Sequence, residues 1–377
     1  MKLVVDENIP QGKEAFETFG DVVFSAGREI NNNLLKDADA LIVRSITQVN
    51  AGLLKNTKVK FIGTATIGTD HIDKNYLENS GICFADAAGC NAFSVTEYVI
   101  CAINQYLTTT KKSFPDMTIG VVGCGNVGSK VVKFSKALGM NVLINDPPLE
   151  RVSKDNTFCS LDDILSADII TFHVPLNKTG IDKTIHLLNE TNLEKIKSGA
   201  MLINSSRGPV VKNDALLKRL KEKRDLFTVL DVWEGEPILN EDLLDIVNIS
   251  TPHIAGYSYE GKMNGTAIIY NKLCDFLGKE KKWKPVYPPI GKTSFLFDAT
   301  NNFEEEFNKL ASSIYNILFD SKNLKNSLSV EKDLRPKYFD DLRKRYYIRR
   351  EFKNYSINLS HNKERIKKIL TNLRFNL

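Results

Sequence analysis

Met117-Thr118-Ile119-Gly120-Val121-Val122-Gly123-Cys124-Gly125-Asn126-Val127-Gly128, followed by helically spaced apolar residues from Lys130 to Leu138, decides the fold of this 377-residue chain. An apolar β-rich run, a glycine turn and a helix in that order form a dinucleotide-binding unit. The first glycine permits the tight turn, the second admits a pyrophosphate to the backbone, and the third lets helix pack on strand. The phosphates then meet the amide N–H groups of the helix N-terminus. A second strand, Asn141-Val142-Leu143-Ile144, leads to Asp146, whose carboxylate can accept both hydroxyls of an adenosine ribose. A 2′-phosphate would meet a like charge there, so NAD is expected rather than NADP. Arg151 is the nearby cation that would soften this preference. The turn supplies Gly123, Gly125, Asn126, Val127 and Gly128 as cofactor contacts.

Working outward, the chain alternates short β runs with helical windows, which argues for parallel sheets. Strands are expected at 3–5, 21–24, 40–43, 58–63 and 81–84 before the turn, and at 168–172, 200–204, 227–230 and 248–250 after it. A helix is read over 13–19. Two long helices, 92–107 (begun near Asn91 or Ser94) and 259–277, bracket the nucleotide unit. This suggests a discontinuous first domain, with these helices as a hinge and the chemistry in the cleft between domains. The proline-rich stretch 281–289 reads as a linker. Beyond it come a strand at 295–297, a helix over 303–317, a half-exposed strand at 355–359 and a closing helix over 363–373.

Composition narrows the class. A hydrophobic fraction of 42% and a charged fraction of 26% are those of a soluble globular protein. Acids stand near the start where a signal peptide would be apolar, and no apolar run spans a bilayer, so a cytoplasmic protein without membrane contact is expected. The six cysteines lack CxxC pairing and the five histidines are scattered, so neither a disulfide framework nor a metal site is expected. Residues 281–377 hold 21 Lys+Arg against 11 Asp+Glu, whereas the first 280 hold 30 against 35. A basic tail fits a phosphorylated ligand, an acidic protein surface or nucleic acid. No nucleic-acid motif is present, and nucleic acid is not expected as a partner.

Three polar segments follow successive strands: Asn204-Ser205-Ser206-Arg207-Gly208, Asp231-Val232-Trp233-Glu234-Gly235-Glu236-Pro237 and Thr251-Pro252-His253-Ile254-Ala255-Gly256. Taken singly, Arg207, Glu236 and His253 read as ordinary loop residues. Together, behind a dinucleotide turn, they are what hydride transfer from a secondary alcohol needs. A histidine takes the hydroxyl proton, a carboxylate steadies the imidazolium and fixes its tautomer, and a guanidinium grips a substrate carboxylate. Asp231 is expected near the nicotinamide end of the cofactor, its plainer role being to cap the following turn. In the first domain, Arg44 and Ser45 end a strand, and the loop around Thr66 and Gly68 offers amides to an anion. Tyr257 could hydrogen-bond substrate. An arginine from 343–350, Arg349 or Arg350 among them, is expected to complete a phosphate site.

These arginine, glutamate and histidine segments resemble the catalytic motifs of the D-isomer-specific 2-hydroxyacid dehydrogenases, over residues 1 to about 280. The narrower resemblance rests on Leu41-Ile42-Val43-Arg44-Ser45-Ile46-Thr47, on Gly63-Thr64-Ala65-Thr66-Ile67-Gly68-Thr69-Asp70-His71-Ile72-Asp73 and on Pro252-His253-Ile254-Ala255-Gly256-Tyr257-Ser258. It extends to Phe339-Asp340-Asp341-Leu342-Arg343 and Arg349-Arg350-Glu351-Phe352, which are similar to a C-terminal dimerisation region in a branch acting on a phosphorylated acid.

The resemblance implies an α/β fold: a Rossmann-type doubly wound NAD-binding domain (96–255) inserted in a flavodoxin-like substrate-binding domain (1–95 and 256–280), plus a small α+β C-terminal dimerisation domain (281–377). It implies NAD-dependent oxidation of a small phosphorylated 2-hydroxy acid by a homodimer. Arg207, Glu236 and His253 would be catalytic, Ser45, Thr66 and Tyr257 would contact substrate, and Asp146, Val174, Asp231 and Gly256 would contact NAD. Val174 stands where the family often has threonine, leaving a backbone contact. Lys212 stands where an acid frequently follows the arginine motif. Other readings are a dehydrogenase for 3-phosphoglycerate or hydroxypyruvate, and an NAD-sensing module without catalysis.

Overall fold

The computed structural model describes residues 1–153 and 157–377, and by contacts the chain falls into two compact units, 1–91 with 258–289 and 92–257 with 290–377. In the first unit, β1 (Lys2–Asp6), β2 (Asp21–Ser25), β3 (Ala40–Val43), β4 (Phe61–Thr64) and β5 (Cys83–Asp86) form one parallel sheet in the order β2-β1-β3-β4-β5. This is the flavodoxin-like order. Every residue of β3 and β4 is buried, as expected of parallel strands covered on both faces. Helix Tyr259–Leu277 closes one face, and a Cβ on Gly63 would lie 2.4 Å from Ile269 Cγ2, so that strand needs a glycine. The segment after this helix is irregular, and the Trp283 and Lys282 amides donate to the Tyr270 hydroxyl at 3.0 and 3.2 Å.

The second unit carries β6 (Thr118–Val122), β7 (Asn141–Asn145), β8 (Ile169–Phe172), β9 (Met201–Asn204), β10 (Phe227–Leu230) and β11 (Ile249–Ser250). They form a parallel sheet in the order β11-β10-β9-β8-β6-β7. Phe158 makes a single parallel bridge to Ile144 on the far side of β7. Counting it as a vestigial strand, the order is that of a Rossmann sheet with one further strand. Helix Ala92–Thr110 belongs to this unit. It begins as expected, but the Asn91 side-chain oxygen is buried without a hydrogen-bond partner and does not cap it.

The C-terminal residues 290–377, expected from sequence to be a separate domain, pack into this second unit. β12 (Ser294–Phe297) pairs in parallel with β13 (Ser356–Leu359). The helix expected over 303–317 is two, Phe303–Ile314 and Ile317–Lys325. The break falls at Tyr315, which is extended, and the Asn316 side chain then accepts from Phe319 N at 3.1 Å and caps the second helix. Phe307 and Phe303 stack at 5.8 Å and meet Phe114 edge-on, both at 6.3 Å. Glu97 Oε1 accepts from Phe352 N at 2.9 Å, and Glu304 Oε1 accepts from Phe114 N at 2.9 Å. Phe307, Tyr315 and Phe352 thereby join the buried cluster of Tyr98, Phe114 and Val121. The extension shares one core with the nucleotide fold.

No helix among the described residues is long and apolar enough to cross a membrane. If the C-terminal segment is integral to this core, Phe307→Ala should destabilise the whole unit by about 3–5 kcal/mol. A single urea transition moved to lower midpoint would show this, and loss of a separate minor transition would contradict it.

Candidate active site

β6 delivers the chain into Gly123, which has φ +86° and lies so close to the next loop that a Cβ would sit 2.7 Å from His173 O. A Cβ on Gly128 would come within 1.9 Å of Gly123 O, so the helix Gly128–Ala137 can start there only with glycine. A Cβ on Gly125 would meet nothing within 4 Å. That is the open approach a pyrophosphate needs, beside helix amides that no side chain caps. Asp146 follows β7, accepts from Cys124 N at 2.7 Å through Oδ2 and from Leu149 N at 3.0 Å through Oδ1. It therefore braces the glycine turn as well as offering its remaining lone pairs. These residues fit a bound NAD. Val174 lies at the turn, a Cβ on Gly123 reaching its Cγ1 at 2.8 Å. The adjoining His173 is half-buried, and desolvation of its ring drops the imidazole to about 3. It is neutral, bonded to Thr171 Oγ1 at 3.0 Å, and is no candidate for the base.

β9, β10 and β11 are neighbours and parallel, so the three polar segments leave the sheet side by side. After β9, Asn204 accepts from the Ser206 amide and hydroxyl at 3.1 and 2.9 Å and donates to Arg207 O at 2.9 Å, fixing that turn. Arg207 is half-buried and donates to Ser206 O at 2.7 Å. A Cβ on Gly208 would lie 2.0 Å from Trp233 O, so glycine is what lets the arginine turn press on the glutamate loop. There Glu236 accepts from Trp233 N at 2.8 Å and pairs with His253 Nδ1 at 2.8 Å. Burial works to raise the Glu236 carboxyl, but the charge and hydrogen bond of His253, the Trp233 amide and Arg343 outweigh it. Its net position is below the usual carboxylate range, so it stays ionised. An ionised carboxylate on Nδ1 assigns the proton to that nitrogen and leaves Nε2 as the atom able to accept one.

His253 has φ +57°, a left-handed backbone uncommon outside glycine. Asp231 holds it there. The His253 amide donates to Asp231 O at 2.7 Å, while the Asp231 carboxylate accepts from Thr251 Oγ1, Ile254 N and Ala255 N at 2.6, 2.8 and 3.0 Å. Burial raises the Asp231 carboxyl above its ordinary value, tempered by the His253 charge and these bonds. Its carboxylate thus holds the turn after β11 rather than the one that follows Asp231 in the chain. From the other side, Arg349 donates to Ala255 O at 2.8 Å and to Ser94 O at 2.7 Å.

Two arginines of the 343–350 segment are engaged within the core. Arg349 is 1% exposed and lies over the Tyr315 ring at 4.2 Å, and Arg350 is buried and donates to Asn354 Oδ1 at 3.2 Å. Arg349 is held by backbone carbonyls and Arg350 by a side-chain amide, and both are buried in the core. Sequence spacing also missed a second imidazole–carboxylate pair, His186 with Glu234 at 2.7 Å, which props the loop after the arginine turn. Gly256 and Tyr257 complete the turn, and the Tyr257 ring meets Tyr346 edge-on at 5.9 Å. In the first unit, Arg44 and the exposed Ser45 follow β3 and Thr66 follows its neighbour β4. Thr66 Oγ1 bonds Thr64 Oγ1 at 2.8 Å and Gly68 O at 3.1 Å, and Thr64 bonds His71 Nε2 at 3.0 Å.

Residues 98–255 match the family described as D-isomer specific 2-hydroxyacid dehydrogenase, NAD binding domain, and residues 290–373 match a domain of unknown function, DUF3410. The chain is 43% identical over 362 residues to the erythronate-4-phosphate dehydrogenase of Proteus mirabilis, covering 95% of this chain and 94% of that one. It is likewise 43% identical over 357 residues to that of Salmonella arizonae, covering 93% and 92%. Among solved structures it is similar to D-lactate dehydrogenase from Aquifex aeolicus complexed with NAD and lactic acid (TM-score 0.62, 27% identity, 74% of this chain and 96% of that one). It is also similar to NAD-bound 3-phosphoglycerate dehydrogenase of Entamoeba histolytica (TM-score 0.62, 26% identity, 74% and 95%).

The glycine geometry makes a direct prediction. Gly128→Ala should weaken NADH binding by at least about tenfold, because the turn must open to admit the methyl group that the third glycine excludes. Fluorescence titration with NADH checks it, and an unchanged Kd would mean that the cofactor does not use this turn.

Proposed function

The chain belongs to the erythronate-4-phosphate dehydrogenases, within the D-isomer specific 2-hydroxyacid dehydrogenases, and we propose that it oxidises C2 of 4-phospho-D-erythronate to (R)-3-hydroxy-2-oxo-4-phosphooxybutanoate with NAD. That reaction lies on a route to pyridoxal 5′-phosphate. The observation that carries the reading is the His253–Glu236 pair at 2.8 Å, set on strands neighbouring that of Arg207.

NAD, held by the glycine turn and Asp146, would supply the acceptor for the hydride leaving C2. His253 Nε2 takes the proton of the C2 hydroxyl as the carbonyl forms. Glu236, ionised and bonded to Nδ1, stabilises the resulting imidazolium and keeps the ring in the accepting tautomer. Arg207 pairs with the substrate carboxylate and polarises the developing carbonyl oxygen. Asp231 and Arg349 hold the turn that aims the imidazole. Gly123 to Gly128 would cradle the pyrophosphate of a bound NAD, with Asp146 at the ribose, Asp231 toward the nicotinamide, and Val174 and Gly256 as further contacts. Ser45, Thr66, Arg44 and Tyr257 contact the phosphorylated substrate. The NAD-binding domain spans 96–255, the substrate-binding domain comprises 1–95 with 256–280, and residues 281–377 serve dimerisation. An intact base–carboxylate pair speaks against a sensor without catalysis.

A homodimer accounts for the apolar surface of the C-terminal segment, where Phe319, Leu334 and Ile348 are 52%, 54% and 60% exposed. All six cysteines are free thiols, as suits a cytoplasmic enzyme. Phe319→Glu should halve the mass seen by light scattering, and an unchanged mass would place the interface elsewhere.

Absorbance of NADH tests the reaction. Purified protein with NAD should turn over 4-phospho-D-erythronate well above 3-phosphoglycerate or hydroxyacids without phosphate, and His253→Ala should lower kcat about 10²- to 10⁴-fold. A variant as fast as the parent removes the assigned base. Because the Glu236 carboxyl is held below the usual carboxylate range, it should add no proton of its own to the acid limb of kcat/KM, whose slope should not exceed one. A two-proton slope would mean that Glu236 titrates in the same range.

A further inference from the structure

The surplus cations of the C-terminal segment differ in what they touch. Arg349 and Arg350 are occupied within the core, as described above. Arg343, in the last turn of helix Arg335–Lys344, is not. Its guanidinium carbon lies 5.7 Å from the centre of the Tyr257 ring and 5.8 Å from that of Phe339, a cation held between aromatic faces. It hydrogen-bonds Tyr257, and its charge bears on Glu236, the carboxylate that orients the base. Its nearest carboxylate contact, Asp340 on the same helix, is loose at 3.8 Å, and its Nε is buried with no hydrogen-bond partner. The side chain nevertheless remains 22% exposed. A largely desolvated guanidinium with an idle donor and no close ion pair is costly in isolation, and it is well matched to an incoming dianion that two of its N–H groups can grip together.

We propose that Arg343 binds the phosphate of the substrate, so that the C-terminal segment supplies the cation that makes this site selective for a phosphorylated hydroxy acid. The inference rests on the substrate reading given under Proposed function. Arg343 stands beside Tyr257, four residues beyond His253 in the chain, so one turn presents the base and, through Tyr257, borders the anion site. Arg207 retains the separate task of holding the carboxylate at the other end of the acid. Two guanidiniums for two anionic ends would fix which carbon faces the imidazole.

The experiment compares wild type, Arg343→Lys and Arg343→Gln on 4-phospho-D-erythronate and on D-erythronate, following NADH. The wild-type preference for the phosphorylated acid is measured first; its absence would overturn the substrate reading and the inference with it. With that preference established, Arg343→Gln should raise KM for the phosphorylated acid at least about 30-fold while kcat changes little. KM for D-erythronate should stay within about twofold, and lysine should recover some of the loss by restoring charge without the bidentate fork. Inorganic phosphate, used as a competitive inhibitor of the wild type, should lose potency in the glutamine variant in parallel. Equal losses on both acids, or a fall in kcat alone, would assign Arg343 to packing or to tuning of Glu236 and overturn the proposal. The NADH Kd of each variant, expected unchanged, shows that the nucleotide fold is intact.

Discussion

The active turn depends on one buried carboxylate. Asp231 is 1% exposed, yet it gathers the amides of Ile254 and Ala255 and the hydroxyl of Thr251, while its own carbonyl receives the His253 amide. A buried carboxylate is tolerated only when its lone pairs are met by donors, and here the donors all belong to the turn that carries His253. The left-handed backbone of His253 costs on the order of 1–3 kcal/mol and persists because the surrounding bonds over-determine it. Remove that clamp and the imidazole loses the orientation that brings Nδ1 to Glu236.

From this clamp the electrostatics of the site follow. Glu236 lies where burial would favour its neutral form, and the histidine, the Trp233 amide and Arg343 reverse the balance. The neighbouring His173 shows the other outcome: an imidazole with burial and no carboxylate partner is held neutral. His173 bonds a threonine hydroxyl where His253 bonds a carboxylate, so only His253 has an anion to fix its tautomer.

The C-terminal segment is bound into this arrangement. Its aromatic residues complete the core beneath helix Ala92–Thr110, and Arg349 reaches through that core to the carbonyl of Ala255. Asp231 and Arg349 grip the same peptide region from opposite sides, one by its N–H groups and one by its C=O. A segment that exposes apolar side chains of its own therefore also steadies the turn that carries His253.

Much of this was legible without coordinates. The strands, the glycine turn with Asp146, and the positions of Arg207, Glu236 and His253 after neighbouring strands could be read from residue order, because strand periodicity and turn stereochemistry are local properties. The cap at Asn316 was also legible in principle, but apolar spacing running through Tyr315 masked it. The shared core of residues 290–377 was not, since the cluster joins aromatic residues some 200 positions apart, such as Phe114 and Phe307. Nor were the burial of Arg349 and Arg350, the placement of Arg343 beside Tyr257, or the full engagement of Asp231. Whether a charged side chain faces water, a backbone carbonyl or an aromatic ring is set by which distant elements pack against it, and only the folded chain decides that. The amino-acid order by itself determined the elements and the chemistry available at their ends; tertiary packing decided which charges were desolvated, which were paired, and which remained available to a ligand.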